Sequence, residues 1–457
     1  MKGVTSMADL IRDGLHGCSQ ASSYVTPTDP AVLRKLSWFQ DQKLALMLHF
    51  GIYSQLGIFE SWPLSDGDAS WSRRFVDWES DPAVFKSQYR NMNRSFNPVR
   101  VQPDVWADFA HDNGFKYLIF TTKHHDGFCM FDTRYTDYKI TAPDCPFHTH
   151  KYADLTKHVF DAFRKRNLGI AAYFSKPDWT CPWYWAEGMD VPPAYNRNPT
   201  YKPEEHPELW EQFVSYTHNQ MMELVENYGP LDVLWLDGGQ VNPKNGQDIR
   251  LSELAKRARQ VTPGLLFADR TVGGENENFI TPEQSIPDTL IPVPWESCVT
   301  IGTGFSFRFE DTYKSPRTLV NMLADVVCRG GNLALNIGPQ PDGRFPIGAV
   351  RSVQGLGEWL RRNGDAIYGT RTCTPHEAGN LAFTRKPGAV YGIVRLEEHE
   401  QMPANLFVPC EEKVEQVTLV ATGEDVAYQT CPGGVLLTVP AGLAGTCPIA
   451  PAFQLSI

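Results

Sequence analysis

Asp237 closes a run of apolar residues, Asp232-Val233-Leu234-Trp235-Leu236-Asp237-Gly238-Gly239, that reads as a buried strand ending in a carboxylate and two glycines. A carboxylate just past an apolar strand, with glycine letting the chain turn beside a ligand, is what a nucleophile at a barrel mouth requires. An aspartate capping the following helix is the competing reading of this run taken alone. Three imidazoles converge on the same rim: His49 in Leu48-His49-Phe50-Gly51, and His124 and His125 in Thr121-Thr122-Lys123-His124-His125-Asp126-Gly127-Phe128. Imidazoles beside a carboxylate can bind zinc or iron, donate hydrogen bonds to a ligand, or be satisfied structural groups. Metal binding is the weaker reading, because adjacent residues in a strand point to opposite faces unless the backbone turns there. His148 and His150 flank Thr149 in a polar loop without supporting ligands and read as surface.

These residues need elements to carry them. Short apolar runs at 44–50, 116–122, 168–174, 232–237, 265–269 and 332–337 alternate with helical patterns at 104–113, 154–167, 207–228, 249–261, 316–329 and 349–363. That is the pattern of βα units around a parallel sheet, with chemistry at the carboxyl ends of the strands. The 316–329 helix is the best signalled, with Ser315 as cap, Pro316 in the first turn and Gly330-Gly331 ending it. Beyond about residue 370 the period shifts to strand-like alternation between Pro and Gly turns. The expected architecture is α/β: an amino-terminal extension (1–30), a (β/α)8 TIM-like barrel (31–369) and a carboxy-terminal all-β sandwich (370–457).

Composition narrows the function classes. A chain of 457 residues exceeds one ordinary core, and 42% hydrophobic against 21% charged residues is the balance of a packed, soluble protein. The net charge of -11 disfavours nucleic acid and anionic lipid, which clustered Lys and Arg would capture. Ten scattered cysteines form no CxxC pair, so neither a zinc knuckle nor a redox motif is signalled. Asp9, Arg12 and Asp13 interrupt the stretch that a secretory leader would keep apolar. Leu15-His16-Gly17-Cys18 resembles a lipoprotein cleavage site, but the apolar run such a site needs is missing. The chain is expected to be cytoplasmic as it stands, or secreted or periplasmic where a leader has been trimmed.

Four segments in order resemble those of glycoside hydrolase family 29, the α-L-fucosidases: Leu48 to Gly51, Thr121 to Phe128, Trp235-Leu236-Asp237-Gly238, and Gly330 to Pro339 with Pro341-Asp342-Gly343. The similarity runs from about Trp38 to Gly369. It implies a barrel with a β-sandwich, retention of anomeric configuration, no metal or other cofactor, a fucosylated glycan as substrate, and Asp237 as nucleophile. It further implies that His49, His124 and His125 contact fucose hydroxyls, that Trp235 lines the pocket and that Arg270 lies near the substrate. Trp71 matches a second pocket tryptophan, although Ser70 stands where relatives often carry a carboxylate. Tyr173-Phe174-Ser175 departs from the family at Phe174, and neither aromatic residue is assigned to the site.

A retaining mechanism needs a second carboxyl about 5–5.5 Å from the first. Glu283, in Phe279-Ile280-Thr281-Pro282-Glu283-Gln284, lies where relatives carry the acid/base and is the first choice; Glu296, in Pro294-Trp295-Glu296-Ser297-Cys298, is the alternative. The expected reaction is exo-hydrolysis of terminal α-L-fucosyl linkages through a covalent fucosyl enzyme. The rival readings are a retaining α-galactoside-type enzyme on the same barrel and a catalytically silent fucose-binding protein. Thr303 to Arg308 replaces a Ser-Trp-Gly-Tyr-like stretch of relatives, so the site receiving the aglycone is expected to differ from theirs.

Overall fold

Where the sequence carries short apolar runs, the computed structural model forms fully buried parallel strands, and it describes residues 18–189 and 196–457. Leu15, His16 and Gly17 of the cleavage-like stretch, with the rest of 1–17, lie outside the described residues. In chain order the first unit comprises α1 (Pro30–Gln42), β1 (Leu44–Leu48), α2 (Pro82–Arg90), α3 (Pro103–Asp112), β2 (Tyr117–Lys123), α4 (Leu155–Arg164) and β3 (Gly169–Ser175). It continues with α5 (Pro207–Asn227), β4 (Val233–Asp237), α6 (Leu251–Val261), β5 (Leu266–Asp269), β6 (Glu296–Thr300), α7 (Pro316–Cys328), β7 (Asn332–Ile337) and α8 (Ile347–Asn363). The seven strands pair in the order β5-β4-β3-β2-β1-β7-β6, every neighbour parallel.

Side chains alternate across a strand, so one set of each strand faces the barrel axis and the other faces the helices. The inward set packs as one cluster, including Ala45, Met47, Tyr117, Ile119, Ala171, Tyr173, Val233, Trp235, Leu266, Ala268, Cys298 and Ala334. The outward set, such as Leu44, Leu46, Leu48, Leu234 and Leu236, joins the helix-facing core. Continuing the inward parity one step past each strand end reaches His49, Asp237 and Arg270.

Two features were not legible. Strand β6, Glu-Ser-Cys-Val-Thr, is too polar to read as buried, yet all five residues are. Its hydroxyls are satisfied locally, Ser297 Oγ donating to Ser285 O (2.6 Å) and Thr300 Oγ1 to Gly302 O (2.8 Å). The expected eighth strand is an irregular segment between β5 and β6. On one side Asn278 N donates to Phe267 O (2.8 Å); on the other, Cys298 N donates to Pro282 O (3.1 Å) and Gln284 N to Cys298 O (2.9 Å). Glu283 bridges Cys298 within this segment, so the loop expected to carry the acid is the piece that closes the barrel.

Helix α1, also unread, plugs the amino-terminal end of the barrel. Asp29 caps it, and Phe39 stacks on Phe279 at 4.2 Å between ring centroids. Helix α7 begins as its sequence dictates, with Ser315 Oγ accepting from Thr318 N.

The carboxy-terminal strands are β8 (Glu377–Ala378), β9 (Leu381–Lys386), β10 (Ala389–Val394), β11 (Asn405–Pro409), β12 (Gln416–Leu419), β13 (Tyr428–Cys431), β14 (Gly434–Thr438) and β15 (Ala452–Ser456). They form two antiparallel sheets, β12-β15-β10-β9-β8 and β11-β14-β13, around Phe383, Val408, Val417, Leu437 and Phe453. Trp359 of α8 donates from Nε1 to Ala450 O (3.0 Å), tying this unit to the barrel. All ten cysteines carry free thiols, and no helix among the described residues is long and apolar enough to cross a membrane.

Candidate active site

A pocket opens at the carboxyl ends of the strands, lined by Met47, His49, Glu60, Trp62, His124, Tyr173, Trp235, Asp237, Arg270, Glu283, Cys298 and Phe305. Asp237 ends β4. Its Oδ1 accepts from Gly238 N (2.8 Å) and from Arg270 (3.0 Å), and its Oδ2 accepts from Tyr173 Oη (2.7 Å). His125 Nε2 stands 3.7 Å from Oδ2. Burial alone raises the pKa of this carboxyl, but Arg270, His125, the Tyr173 hydroxyl and the Gly238 amide outweigh it and hold Asp237 well below the usual carboxylate range. It is therefore an anion at any working pH.

The glycines after Asp237 serve the turn rather than the ligand. Gly238 has φ +86, and a Cβ there would fall 2.2 Å from Pro177; one on Gly239 would fall 1.6 Å from Thr271 Oγ1. The helix-cap reading of Asp237 does not apply, since α6 begins at Leu251.

Arg270, one step beyond β5, joins the two carboxylates. Its Nη1 donates to Asp237, and its Nη2 makes a very short contact with Glu283 Oε2. The guanidinium itself is buried, whereas the Glu283 side chain keeps 26% of its surface exposed and Asp237 17%. Glu283 thus lies on the open side of the pair.

Glu296 stands elsewhere. It begins β6, points inward one layer below the pocket, and accepts from Trp235 Nε1 (3.0 Å) and, very closely, from the Tyr117 hydroxyl. Burial pushes its pKa up to about 7, only partly offset by those two donors. Arg270 packs on the Trp235 ring instead, its guanidinium carbon 5.3 Å from that ring's centroid.

The imidazoles are dry. Burial pushes His49 and His125 down to about 4 and His124 well below the ordinary value, so all three are neutral at neutral pH. His49 Nδ1 lies 2.7 Å from Asn336 Oδ1, and Asn336 Nδ2 donates to Phe305 O (2.7 Å). Asn336 Oδ1 is therefore an acceptor, Nδ1 of His49 carries the proton, and Nε2 offers a lone pair. That makes His49 an acceptor for a ligand hydroxyl rather than the donor expected from sequence. His124 Nδ1 is held 2.6 Å from Ser61 Oγ, and His125 packs between Trp62 and Trp179.

His124, His125 and Asp237 offer ligand atoms within 4.8 Å of one another, the one such group among the described residues. The donor set suits a metal poorly: both oxygens of Asp237 are already engaged, and a fixed guanidinium cation sits against them.

Trp71 is placed outside the pocket wall, in a 3-10 turn (Ser70–Phe75), 52% exposed. Trp62 takes the lining position instead, and Glu60, two residues before it, supplies a wall carboxyl. Glu60 sits at φ 31, a strained conformation for a side-chain-bearing residue, and accepts from Ser306 N (2.7 Å). Burial raises its pKa to about 7. Sequence reading missed Glu60, Trp62 and Tyr173. Only Tyr173 carried a usable signal, since it shares the inward parity of β3 and pairs with Trp235 in register.

This geometry can be set beside known proteins. Residues 16–365 match the family model described as Alpha-L-fucosidase. The plasma alpha-L-fucosidase of Homo sapiens is 27% identical over 348 residues, 74% of this chain and 70% of its own. The alpha-L-fucosidase of Branchiostoma floridae is 27% identical over 437 residues, 90% of each chain. Among solved structures, alpha-L-fucosidase isoenzyme 1 from Paenibacillus thiaminolyticus superposes with a TM-score of 0.76 at 28% identity, covering 93% of this chain and 99% of its own. Thermotoga maritima alpha-fucosidase in complex with fucose does so with a TM-score of 0.73 at 28% identity, covering 94% and 100%. On the strength of a match spanning the barrel and its acid-lined mouth, the chain belongs to the α-L-fucosidase family of glycoside hydrolases.

Proposed function

We propose that the protein is a retaining, exo-acting α-L-fucosidase that hydrolyses terminal α-L-fucosyl linkages of oligosaccharides or glycoconjugates. The observation that carries this reading is the single guanidinium of Arg270 joined to both Asp237 and Glu283. A shared guanidinium keeps both carboxyls beside one pocket, within reach of the same sugar, which supports the paired carboxyls that retaining hydrolysis uses. The same pairing speaks against a catalytically silent binding protein.

In this mechanism Asp237 attacks the anomeric carbon while Glu283 protonates the departing glycosidic oxygen, giving a fucosyl ester on Asp237 and a free aglycone hydroxyl. Glu283, now a carboxylate, takes a proton from water, and that water displaces Asp237 from the anomeric carbon with the original configuration restored. His49 accepts from one sugar hydroxyl through Nε2, while His124, whose ring lies 5.7 Å from that of His49, and Glu60 address others. Met47, Cys298 and Phe305 give the pocket an apolar wall suited to the 6-methyl group.

The test is trapping with 2-deoxy-2-fluoro-α-L-fucosyl fluoride followed by peptide mapping. The label is expected on Asp237, and α-L-fucose is expected as the first-formed anomer by NMR. A label on another side chain, or β-fucose appearing first, overturns the assignment. Preference for an aryl α-galactoside over the matching fucoside overturns the substrate.

A further inference from the structure

The pocket does not end at its own wall. Trp62, a lining residue, stands 6.2 Å from Trp71 between ring centroids; Trp71 meets Phe59 edge-on at 5.1 Å, and Phe59 lies 5.2 Å from Phe75. Phe59 in turn adjoins Glu60 of the pocket wall. A continuous aromatic track therefore runs outward from the sugar pocket, and at its far end Trp71 and Phe75 are 52% and 41% exposed. Leaving such rings in water forgoes burial energy, so a contiguous exposed patch of this kind marks a surface used for binding.

Two cations are built into the track. The Arg308 guanidinium lies 4.0 Å from the Phe59 ring centroid and 4.3 Å from that of Phe75; Arg74 lies 4.7 Å and 4.9 Å from the same two rings. Arg308 is only 6% exposed, and its Nε and Nη2 have no hydrogen-bond partner, a costly state for a buried donor. The residue over that edge is Gly304, where a Cβ would fall 2.7 Å from Nε and 2.9 Å from Nη2. Both nitrogens are shut off from solvent, and Gly304, with no side chain, lies against them. This is the stretch where the sequence departs from the family pattern.

We infer that Trp71, Phe59 and Phe75, with Arg74, form the subsite for the sugar joined to the fucose, a hexopyranoside whose C–H face stacks on Trp71 and whose hydroxyls accept from the exposed Arg74 guanidinium, while the buried Arg308 holds the rings in place. The inference rests on the reading that the pocket holds fucose. It commits the track to the aglycone because the track begins at the pocket wall and runs outward to exposed rings. Flat rings bind the apolar face of a pyranose, and the exposed Arg74 guanidinium supplies a polar contact that fixes its orientation.

The experiment compares kcat/KM on α-L-fucosyl fluoride, whose leaving group is too small to reach Trp71, with kcat/KM on fucose linked to a hexopyranose. Trp71→Ala, Phe75→Ala and Arg74→Ala change exposed residues. For Trp71→Ala the disaccharide-to-fluoride ratio is expected to fall about tenfold, and for the other two severalfold. A ratio equal to that of the unaltered enzyme in all three variants overturns the subsite. So does a change in oligomeric state on Trp71→Ala with the ratio intact, which would make the patch a contact between copies. Failure of the unaltered enzyme to hydrolyse the fluoride would instead overturn the fucosidase reading, so the two failures are distinct.

Discussion

Asp237 and Glu296 are both inward-pointing carboxyls of the same barrel, and their surroundings drive them in opposite directions. Asp237 meets a guanidinium, an amide, a phenol and an imidazole, and is held ionised despite burial. Glu296 meets only the two neutral donors of Tyr117 and Trp235, and burial wins, raising it to about 7. Burial alone therefore does not distinguish a reactive carboxylate from a structural one. What distinguishes them is whether a fixed cation shares the cavity, because a full opposite charge in a low-dielectric site outweighs desolvation where neutral hydrogen bonds do not. Arg270 holds Asp237 as the anion that the proposed nucleophile must be and ties Glu283 to it; Glu296, held by Tyr117 and Trp235, sits in the barrel interior.

The comparison breaks most visibly in activity. Asp237→Gly is expected to lower kcat by about 10⁴-fold or more, whereas Glu296→Gln, measured on the same fucoside, should change it by less than about tenfold. A large loss on Glu296→Gln with Asp237→Gly still active would reverse the two roles. Glu283→Gln should cost about 10²–10⁴-fold on a disaccharide and much less on fucosyl fluoride, whose leaving group needs no proton. Equal losses on both substrates would remove Glu283 from the acid role.

Stability against pH sharpens the contrast further. A carboxyl whose folded pKa is raised stabilises the fold below its unfolded value and loses that contribution as pH rises through the folded one. Glu296, at about 7 against an ordinary 4.5, should thus penalise the wild type increasingly between pH 4.5 and 7. The melting temperature of Glu296→Gln relative to wild type should climb across that window and level off above it, a swing of up to about 3 kcal/mol in stability. Asp237, shifted downward, contributes nothing to this slope. The smallest loss expected within the pocket is Tyr173→Phe, which removes the 2.7 Å bond to Asp237 and should lower kcat about tenfold without altering the labelled residue.

Much of this was legible before any coordinates. The six apolar runs locate six of the seven strands, and the carboxyl ends of those strands carry His49, Asp237 and Arg270. β6 was opaque because Glu296, Ser297 and Thr300 are polar residues whose burial depends on partners elsewhere in the chain. Trp71 and Trp62 could not be ranked, because each lies in an irregular connection between β1 and α2 where no period links sequence position to orientation. Tyr173 was passed over because its neighbour Phe174 departs from the family pattern, although parity alone places it beside Trp235.

What the sequence determined by itself is the alternation of inward and outward residues along each strand, and with it which side chains reach the mouth of the barrel; that follows from the geometry of an extended chain. Which carboxyl would stand beside Asp237, Glu283 or Glu296, only the tertiary structure decided. The difference between them is one layer of barrel depth, a distance set by how the segment between β5 and β6 closes the sheet.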